Sequence, residues 1–539
     1  MLELIGGKNV GTVKFYRGED LHWADLWGRA ERISGGVALN TSEGDRVAVL
    51  LEESAWCGAT FAGVFLAGCD LISLPMKPGG MSVPEYHNVI KNILKLGEVK
   101  LLLGGNKLRF VSPVGEELGI KTMNFEELEK TLTLRDGIDN SLIQFTSGTT
   151  GTPKGVVMPM LNLSTNVKTI ADRGKRGDSW VSWMPWTHDM GLVGGFLTNW
   201  VLSGYEGGRN SLYIPTDEFI KDPGVWITSC AEMKTPVATL SAGFALKFAK
   251  FGLTEDHPVD MSAITSILVG GERLATKWLR DFDADGVACG LASTSLSPAY
   301  GLAENGVAVS MVPVEDKWKS AWWKVDWGTN SLIAAGEKEE GAVELVSCGV
   351  PLDNVKVSIQ TTDTDTDEEE NKIGELTTAR KSGSYKLGSL IIESPSLFSG
   401  YLGEKGSSKI SNNKFKTGDV GAIINNEIWV LGRGDAILVV HGENMLAIEA
   451  EDLLAGLWGG ITVVCEDPSG GYCVILEERE GQVEVNKIIN IAVKKLTERF
   501  GIRPSRVGLL SGSNLPKTAS GKIKRSLVVN AVSKNGYWV

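Results

Sequence analysis

Short apolar runs separated by longer stretches constrain this chain more than any other feature. RVAVLL (46–51), LIQF (142–145), VSWM (181–184), PVATL (236–240) and AITSILVGG (263–271) each have the length of one buried strand, and each gives way to a polar or glycine-rich turn. The segments between them are long enough for helices. This alternation predicts an α/β fold with layered parallel or mixed sheets. The most apolar region, residues 47–75, carries Glu52, Glu53 and Asp70. It reads as a buried strand, a helix from about Ser54 and a second strand, rather than as a membrane span.

A chain of 539 residues is long for one core, so two or more domains are expected. After GRGDAILVV (432–440) the pattern changes to that of a small α/β unit. ITVVCED and GYCVILEE read as strands. In VNKIINIAVKKLTERF, Val485, Ile488, Ile489, Ala492 and Leu496 fall on one helical face. A boundary near Asp435 divides the chain into residues 1–434 and 435–539. TTDTDTDEEENK (361–372) has no apolar periodicity and reads as a surface turn. Residues 315–346 hold Trp318, Trp322, Trp323 and Trp327. They fit a hydrophobic flap packed on the main domain, or an insertion that restrains domain motion.

Net charge is −12 with a pI near 5.2, which argues against a nucleic-acid partner. Seven cysteines form no CxxC pair, and the scattered histidines give no zinc spacing. Free thiols, no membrane span and no secretory pattern at the N-terminus lead to an expected cytoplasmic location.

Phosphate chemistry is suggested by FTSGTTGTPKGVV (145–157). It is not a Walker A loop, because Pro153 and Gly155 stand where glycine and a hydroxyl residue are required. Backbone N–H groups in successive turns can form a nest for anionic oxygens. Gly148, Gly151 and Gly155 permit those turns. Thr146, Ser147, Thr149 and Thr150 add hydroxyls, and Lys154 adds charge. The flanks read as strands, so the element is strand–loop–strand. A polar hairpin without a ligand is the plain alternative.

The full string resembles the phosphate loop of the adenylate-forming, acyl-activating enzymes, which include acyl-CoA synthetases, fatty acyl-AMP ligases, adenylation domains and luciferases. Further matching motifs occur in order, so the resemblance covers almost the whole chain. It implies a large N-terminal adenylate-forming domain of layered sheets and helices, with a small mobile C-terminal α/β domain. It also implies that a carboxylate is joined to ATP, giving acyl-AMP and pyrophosphate.

The site residues follow from the same resemblance. SWMPWTHDMGLVGG (182–195) is similar to a string bordering the acyl pocket, with His188 beside the reacting carboxylate. In LVGGERLA (268–275), Gly271, Glu272 and Arg273 would lie at the adenine edge. SPAYGLAENGVAVS (297–310) resembles the Tyr-Gly-x-x-Glu motif, so Tyr300 would stack on adenine beside Gly301, and Glu304 would hold Mg²⁺ together with Thr146. In FKTGDVGAI (415–423), Asp419 would accept from the ribose hydroxyls. In LGRGDAILVVHGENMLAIEAED (431–452), Arg433 would reach ribose or α-phosphate, and Asp435 would be a hinge. LPKTASGKIKR (515–525) would supply Lys522 as the catalytic lysine, acting with His188 and Thr146.

The acyl acceptor is left open. HDMGLVGG and the stretch ending in ELVSCGVPL (344–352) resemble the fatty acyl-AMP ligase branch, which loads the phosphopantetheine thiol of an acyl carrier protein. Gly442-Glu443-Asn444 departs from the usual string of that branch and leaves free CoA as the alternative acceptor. A catalytically inactive homologue acting as a binding module is a third reading, opposed by intact Glu304, Asp419, Arg433 and Lys522.

Overall fold

The computed structural model describes the chain apart from residues 7–8, 78–80, 131–139, 147–153, 174–176, 206, 250–258, 338, 362–382, 404–409, 412, 442, 459, 479–484, 513 and 517–522. For residues 146, 411, 435, 443, 455 and 456 it describes the backbone only. Most of the acidic 361–372 segment therefore lies outside the described residues, as do residues 147–153 and Lys522.

Residues 46–74 fold as their pattern predicts. Strand Arg46–Leu50 leads to helix Ala55–Leu66 and then to strand Asp70–Leu74, with the two strands parallel and Val47 opposite Leu71. Ser54 starts the helix by accepting a hydrogen bond from the Cys57 backbone N–H. Every residue of this helix except Trp56 is buried. A helix that is apolar all round must be enclosed, and this one shares a core with strands of two sheets. Among the described residues no helix is long and apolar enough to cross a membrane.

The first of those sheets orders its strands as Gly400–Tyr401, Lys154–Pro159, Ser141–Thr146, Asp70–Leu74, Arg46–Leu50, Leu101–Gly104 and Lys121–Asn124. Its last five are parallel. Ser141–Thr146 and Lys154–Pro159 are antiparallel, with Thr146 opposite Lys154, so the strand–loop–strand expectation holds on both flanks. The second sheet has nine strands, and its central run is parallel: Thr12–Phe15, Asn210–Tyr213, Ser179–Ser182, Val237–Ala242, Ile264–Gly270 and Leu296–Gly301. VSWM, PVATL and AITSILVGG all contribute to it.

A third, antiparallel sheet follows, containing Lys356–Gln360, Gly388–Glu393, Lys414–Ile424 and Glu427–Arg433. The tryptophan-rich stretch forms strands Ser320–Asp326, Ser331–Ala334 and Val343–Val346, joined by Ser384–Lys386 in a small sheet. Trp323, Leu332, Val343 and Leu345 pack against Trp429 and Leu431 of the third sheet. The same cluster takes in Ile437, Leu446 and Ile448, so this small sheet bridges the main body and the segment after Arg433.

A separate core is drawn from residues 438–509. Strands Thr462–Glu466, Tyr472–Glu478 and Arg506–Ser511 pair in one sheet. Of the predicted helical face, Ile489, Ala492 and Leu496 are buried, while Val485 and Ile488 pack at its margin. All seven cysteines are free thiols. Cys465 and Cys473 stand on adjacent strands with sulfurs 3.5 Å apart.

Helix Trp23–Ala38 packs against the buried helix, where a Cβ on Gly63 would lie 2.9 Å from the Ala30 carbonyl oxygen, and against the short helix Phe125–Leu128. A Cβ on Gly36 would lie 2.0 Å from the Leu128 carbonyl oxygen. Alanine is the better helix former by about 1 kcal/mol, but backbone against backbone cannot yield cheaply. Gly36→Ala is therefore expected to destabilise by roughly 2 kcal/mol, read as a lower urea midpoint. An unchanged or higher midpoint would contradict this packing.

Candidate active site

The strand ends of both parallel sheets and one edge of the third sheet open onto a single cavity of about 2180 Å³. Leu296–Gly301 delivers Tyr300 to its wall. The Tyr300 hydroxyl donates to Asp419 Oδ2 at 2.6 Å. Burial, then the neighbouring Asp419 carboxylate, holds the Tyr300 phenol well above its usual pKa, so it remains a donor. Asp419 faces Arg433 across the antiparallel pair, and Arg433 Nη1 lies 3.5 Å from Asp419 Oδ1. Arg433 Nη1 also donates to the Thr417 carbonyl at 3.2 Å. Gly418 adopts φ +80, and a Cβ there would press on the guanidinium at 3.2 Å. Glycine is thus required at that turn for steric and conformational reasons.

Gly301 is glycine for a local reason. A Cβ would lie 1.7 Å from the Val307 carbonyl oxygen. That close approach turns the chain into the short helix Ala303–Asn305, which carries Glu304. Glu304 Oε1 accepts from the Tyr401 hydroxyl at 2.7 Å, and Lys154 Nζ lies 5.1 Å from the centre of the Tyr401 ring. Burial is the main cause of the raised Glu304 pKa, with Asp189 adding repulsion. A divalent cation here would favour the carboxylate form. Among the described residues no three His, Cys, Asp or Glu side chains cluster as a metal cage. One carboxylate that leaves the remaining positions to phosphate or water oxygens fits magnesium.

Asp189 Oδ1 lies 2.6 Å from His188 Nδ1 and accepts from the Met190 N–H at 2.7 Å. The Met190 N–H also lies 3.2 Å from His188 Nδ1, so both contacts fix the ring where it lines the cavity. A Cβ on Gly271, which has φ +82, would be 3.9 Å from His188 Cε1. Gly271 and His188 therefore face each other. Glu272 accepts from the Phe244 N–H at 2.6 Å, at the start of helix Gly243–Ala249. Arg273 turns from Gly271 toward Asp452, 3.4 Å away, and donates to the Glu344 carbonyl at 3.4 Å.

The structure thus gathers Lys154, His188, Gly271, Glu272, Arg273, Tyr300, Gly301, Glu304, Asp419 and Arg433 around one cavity. Thr146 is described only as backbone, opposite Lys154. Ser147, Gly148, Thr149, Thr150 and Lys522 lie outside the described residues. Ile523 and Lys524, which follow Lys522 in the chain, line the cavity. Burial lowers the Lys524 pKa.

Sequence reasoning passed over three residues here. Tyr401 sits on a two-residue strand with no motif around it. Asp189 was in plain view beside His188, although nothing in the string gave it a partner. Glu53 follows a strand in sequence but becomes half-buried, accepting from the Trp186 N–H at 3.0 Å and so anchoring the turn that leads to His188. Burial raises its pKa from 4.5 to about 7.

The pH consequence follows from that shift. The folded state holds a proton on Glu53 that the unfolded state releases. Its stabilising contribution is complete below about pH 4.5 and lost as pH rises through about 7. Glu53→Gln should therefore raise the Tm at pH 8 relative to wild type and leave a smaller difference at pH 5. Equal shifts at both pH values would refute a protonated Glu53.

The AMP-binding enzyme family model matches residues 7–402. A 4-hydroxyphenylalkanoate adenylyltransferase from Mycobacterium tuberculosis is 24% identical, with 95% of this chain and 86% of that protein covered. A long-chain-fatty-acid–AMP ligase from Mycobacterium marinum is 25% identical, with 94% and 88% covered. A solved structure from a study of fatty acyl-adenylate ligases of E. coli and L. pneumophila superposes with a TM-score of 0.86 at 21% identity, covering 98% of this chain and 96% of that one. That likeness takes in both the large N-terminal and the small C-terminal part of the α/β fold.

Proposed function

Because the chain belongs to the AMP-binding enzyme family, we propose that it activates a carboxylic acid with ATP, forming acyl-AMP and pyrophosphate, and then passes the acyl group to a thiol. The observation that carries this reading is the convergence of Tyr300, Glu304, Asp419 and Arg433 on one cavity, from two sheets and a short helix. Relatives named as adenylyltransferase and fatty-acid–AMP ligase support it.

The acid needs no general base, because a carboxylate is ionised at neutral pH. The difficulty is charge: an anion attacks the α-phosphate of another anion, and negative charge accumulates at phosphorus. Fixed donors offset it. Lys522, Arg433, Lys154 and the hydroxyl and amide groups of residues 146–150 are placed in that role. Each such donor is typically worth a few kcal/mol, about a hundredfold in rate. Tyr300 and Gly271 flank the base, Asp419 takes the ribose hydroxyls, and His188 lies beside the reacting carboxylate. Mg²⁺ held by Glu304, with Thr146 as a second oxygen, would neutralise phosphate charge when bound.

For the second step, residues 435–539 form a domain that rotates about Asp435 and withdraws Lys522. The Arg273–Asp452 pair and the apolar contacts of Ile437, Leu446 and Ile448 with the tryptophan-rich sheet would have to break or slide. The phosphopantetheine thiol of a carrier protein is the acceptor favoured by the fatty-acid–AMP ligase relatives; free CoA is the alternative. A cytoplasmic location suits ATP use and seven free thiols.

Carboxylate-dependent exchange of pyrophosphate into ATP tests the first step, and its absence with every acid tried would sink the reading in favour of an inactive binding module. Lys522→Ala should lower that exchange by about a hundredfold or more while sparing thiol transfer from supplied acyl-AMP. Near wild-type exchange in this variant would remove Lys522 from the chemistry. The mass of the product formed with holo-carrier protein, or with CoA, identifies the acceptor.

A further inference from the structure

Strands Thr462–Glu466 and Tyr472–Glu478 run antiparallel, and Cys465 stands directly opposite Cys473. Facing residues of an antiparallel pair have Cα atoms about 4.5 or 5.5 Å apart, and both spacings fall within the range that a disulfide spans. The two side chains leave the sheet on the same face, and their sulfurs meet at 3.5 Å. The other five cysteines lie off the strands.

The two thiols have different surroundings. Cys465 is 5% exposed and lines the cavity, on a wall that also includes Thr462, Lys524 and Arg525; Cys473 is 0% exposed. The hydrogen bond from Cys473, ahead of the Arg525 charge, draws the Cys465 thiol below its ordinary pKa. The same bond, together with burial, pushes the Cys473 thiol up. Arg525 is fixed beside the pair. Its Nη1 donates to the carbonyl of Val464, the residue before Cys465, at 3.0 Å, and its Nη2 donates to Glu451 Oε2 at 2.9 Å. Cys348 also lines the cavity, but burial pushes its thiol up to about 12.

A thiolate-prone sulfur on a cavity wall, backed by a second thiol, suits two-step oxidation by a hydroperoxide. The Cys465 thiolate attacks one peroxide oxygen. The O–O bond breaks, hydroxide leaves and Cys465 becomes a sulfenic acid. Cys473 then attacks that sulfur, the S–S bond forms, and the S–O bond breaks to release the oxygen and the Cys473 proton as water. In sum, two thiols and one hydrogen peroxide give one disulfide and two waters. The sulfurs lose the two electrons that the peroxide oxygens gain. A dithiol reverses the change by exchange. The nearly enclosed Cys465 favours a small neutral oxidant over a bulky disulfide.

We propose that Cys465 and Cys473 form a reversible redox site, a dithiol that hydrogen peroxide converts to a cross-strand disulfide at the cavity wall. The site is independent of the adenylation reading, in which neither thiol has a part.

The test treats the native full chain with hydrogen peroxide, blocks the remaining thiols with N-ethylmaleimide in denaturant, and reads the digest by mass spectrometry. A peptide joining Cys465 to Cys473 should appear and revert to two thiols with dithiothreitol. Cys348 should stay reduced about tenfold longer. Cys473→Ser should leave Cys465 as a sulfenic acid that dimedone traps, and Cys465→Ser should leave Cys473 reduced. Oxidised glutathione should form the crosslink far more slowly than peroxide. The wild-type crosslink is read without any variant, so the test stays decisive if a substitution prevents folding. Recovery of both thiols in blocked form after peroxide, or oxidation of Cys348 as fast as Cys465, overturns the proposal. A crosslink that oxidised glutathione forms faster than peroxide overturns the choice of oxidant.

Discussion

The hydrogen bond from Tyr300 to Asp419 joins, at the cavity, two sheets that also share a core and the backbone bond from Ile428 to the Gly349 carbonyl. Its 2.6 Å length ties the end of a parallel strand to the edge of an antiparallel sheet more than a hundred residues later. Glu304 and Tyr401 make a second tie, from the short helix after Tyr300 to the strand of the first sheet that pairs with Lys154–Pro159. With the shared core and the backbone bonds around them, these contacts hold three strand systems at the edge of the cavity. Low local dielectric makes both bonds strong, and makes the loss of a partner costly.

Burial sets the electrical character of the cavity. Glu304 and Tyr300 both lie where burial disfavours their charged forms, and in each case burial is the largest influence. Such a site suits a ligand that brings phosphates and a cation together and completes the charge balance on binding. Glu53, half-buried behind the Trp186 turn, follows the same rule. Among the described residues no cation forms an ion pair with it, and it is accommodated through a backbone donor and a bound proton.

The tryptophan-rich insertion belongs to two neighbourhoods. Trp323 packs edge-on against Trp429 of the third sheet, at a ring distance of 5.5 Å. The same apolar cluster reaches Leu446 and Ile448 beyond Arg433. Arg273 reaches both the insertion, at the Glu344 carbonyl, and the helix that carries Asp452. A flap packed on the main body describes one face of residues 315–346, and their other face touches Ile437, Leu446 and Ile448.

By itself the sequence determined the layered α/β architecture, the enclosed helix at 55–66, the hairpin flanks of the 147–153 loop and the polar residues that meet at the cavity. Those properties reside in local periodicity, in capping side chains and in short strings whose residue types answer to one chemistry. Tertiary structure alone decided which carboxylates become buried, that Tyr401 meets Glu304, that Arg273 turns to Asp452, and that Cys465 meets Cys473 across adjacent strands. Pairings of that kind depend on strand order and on the desolvation that packing imposes. Neither leaves a mark at any fixed spacing along the chain.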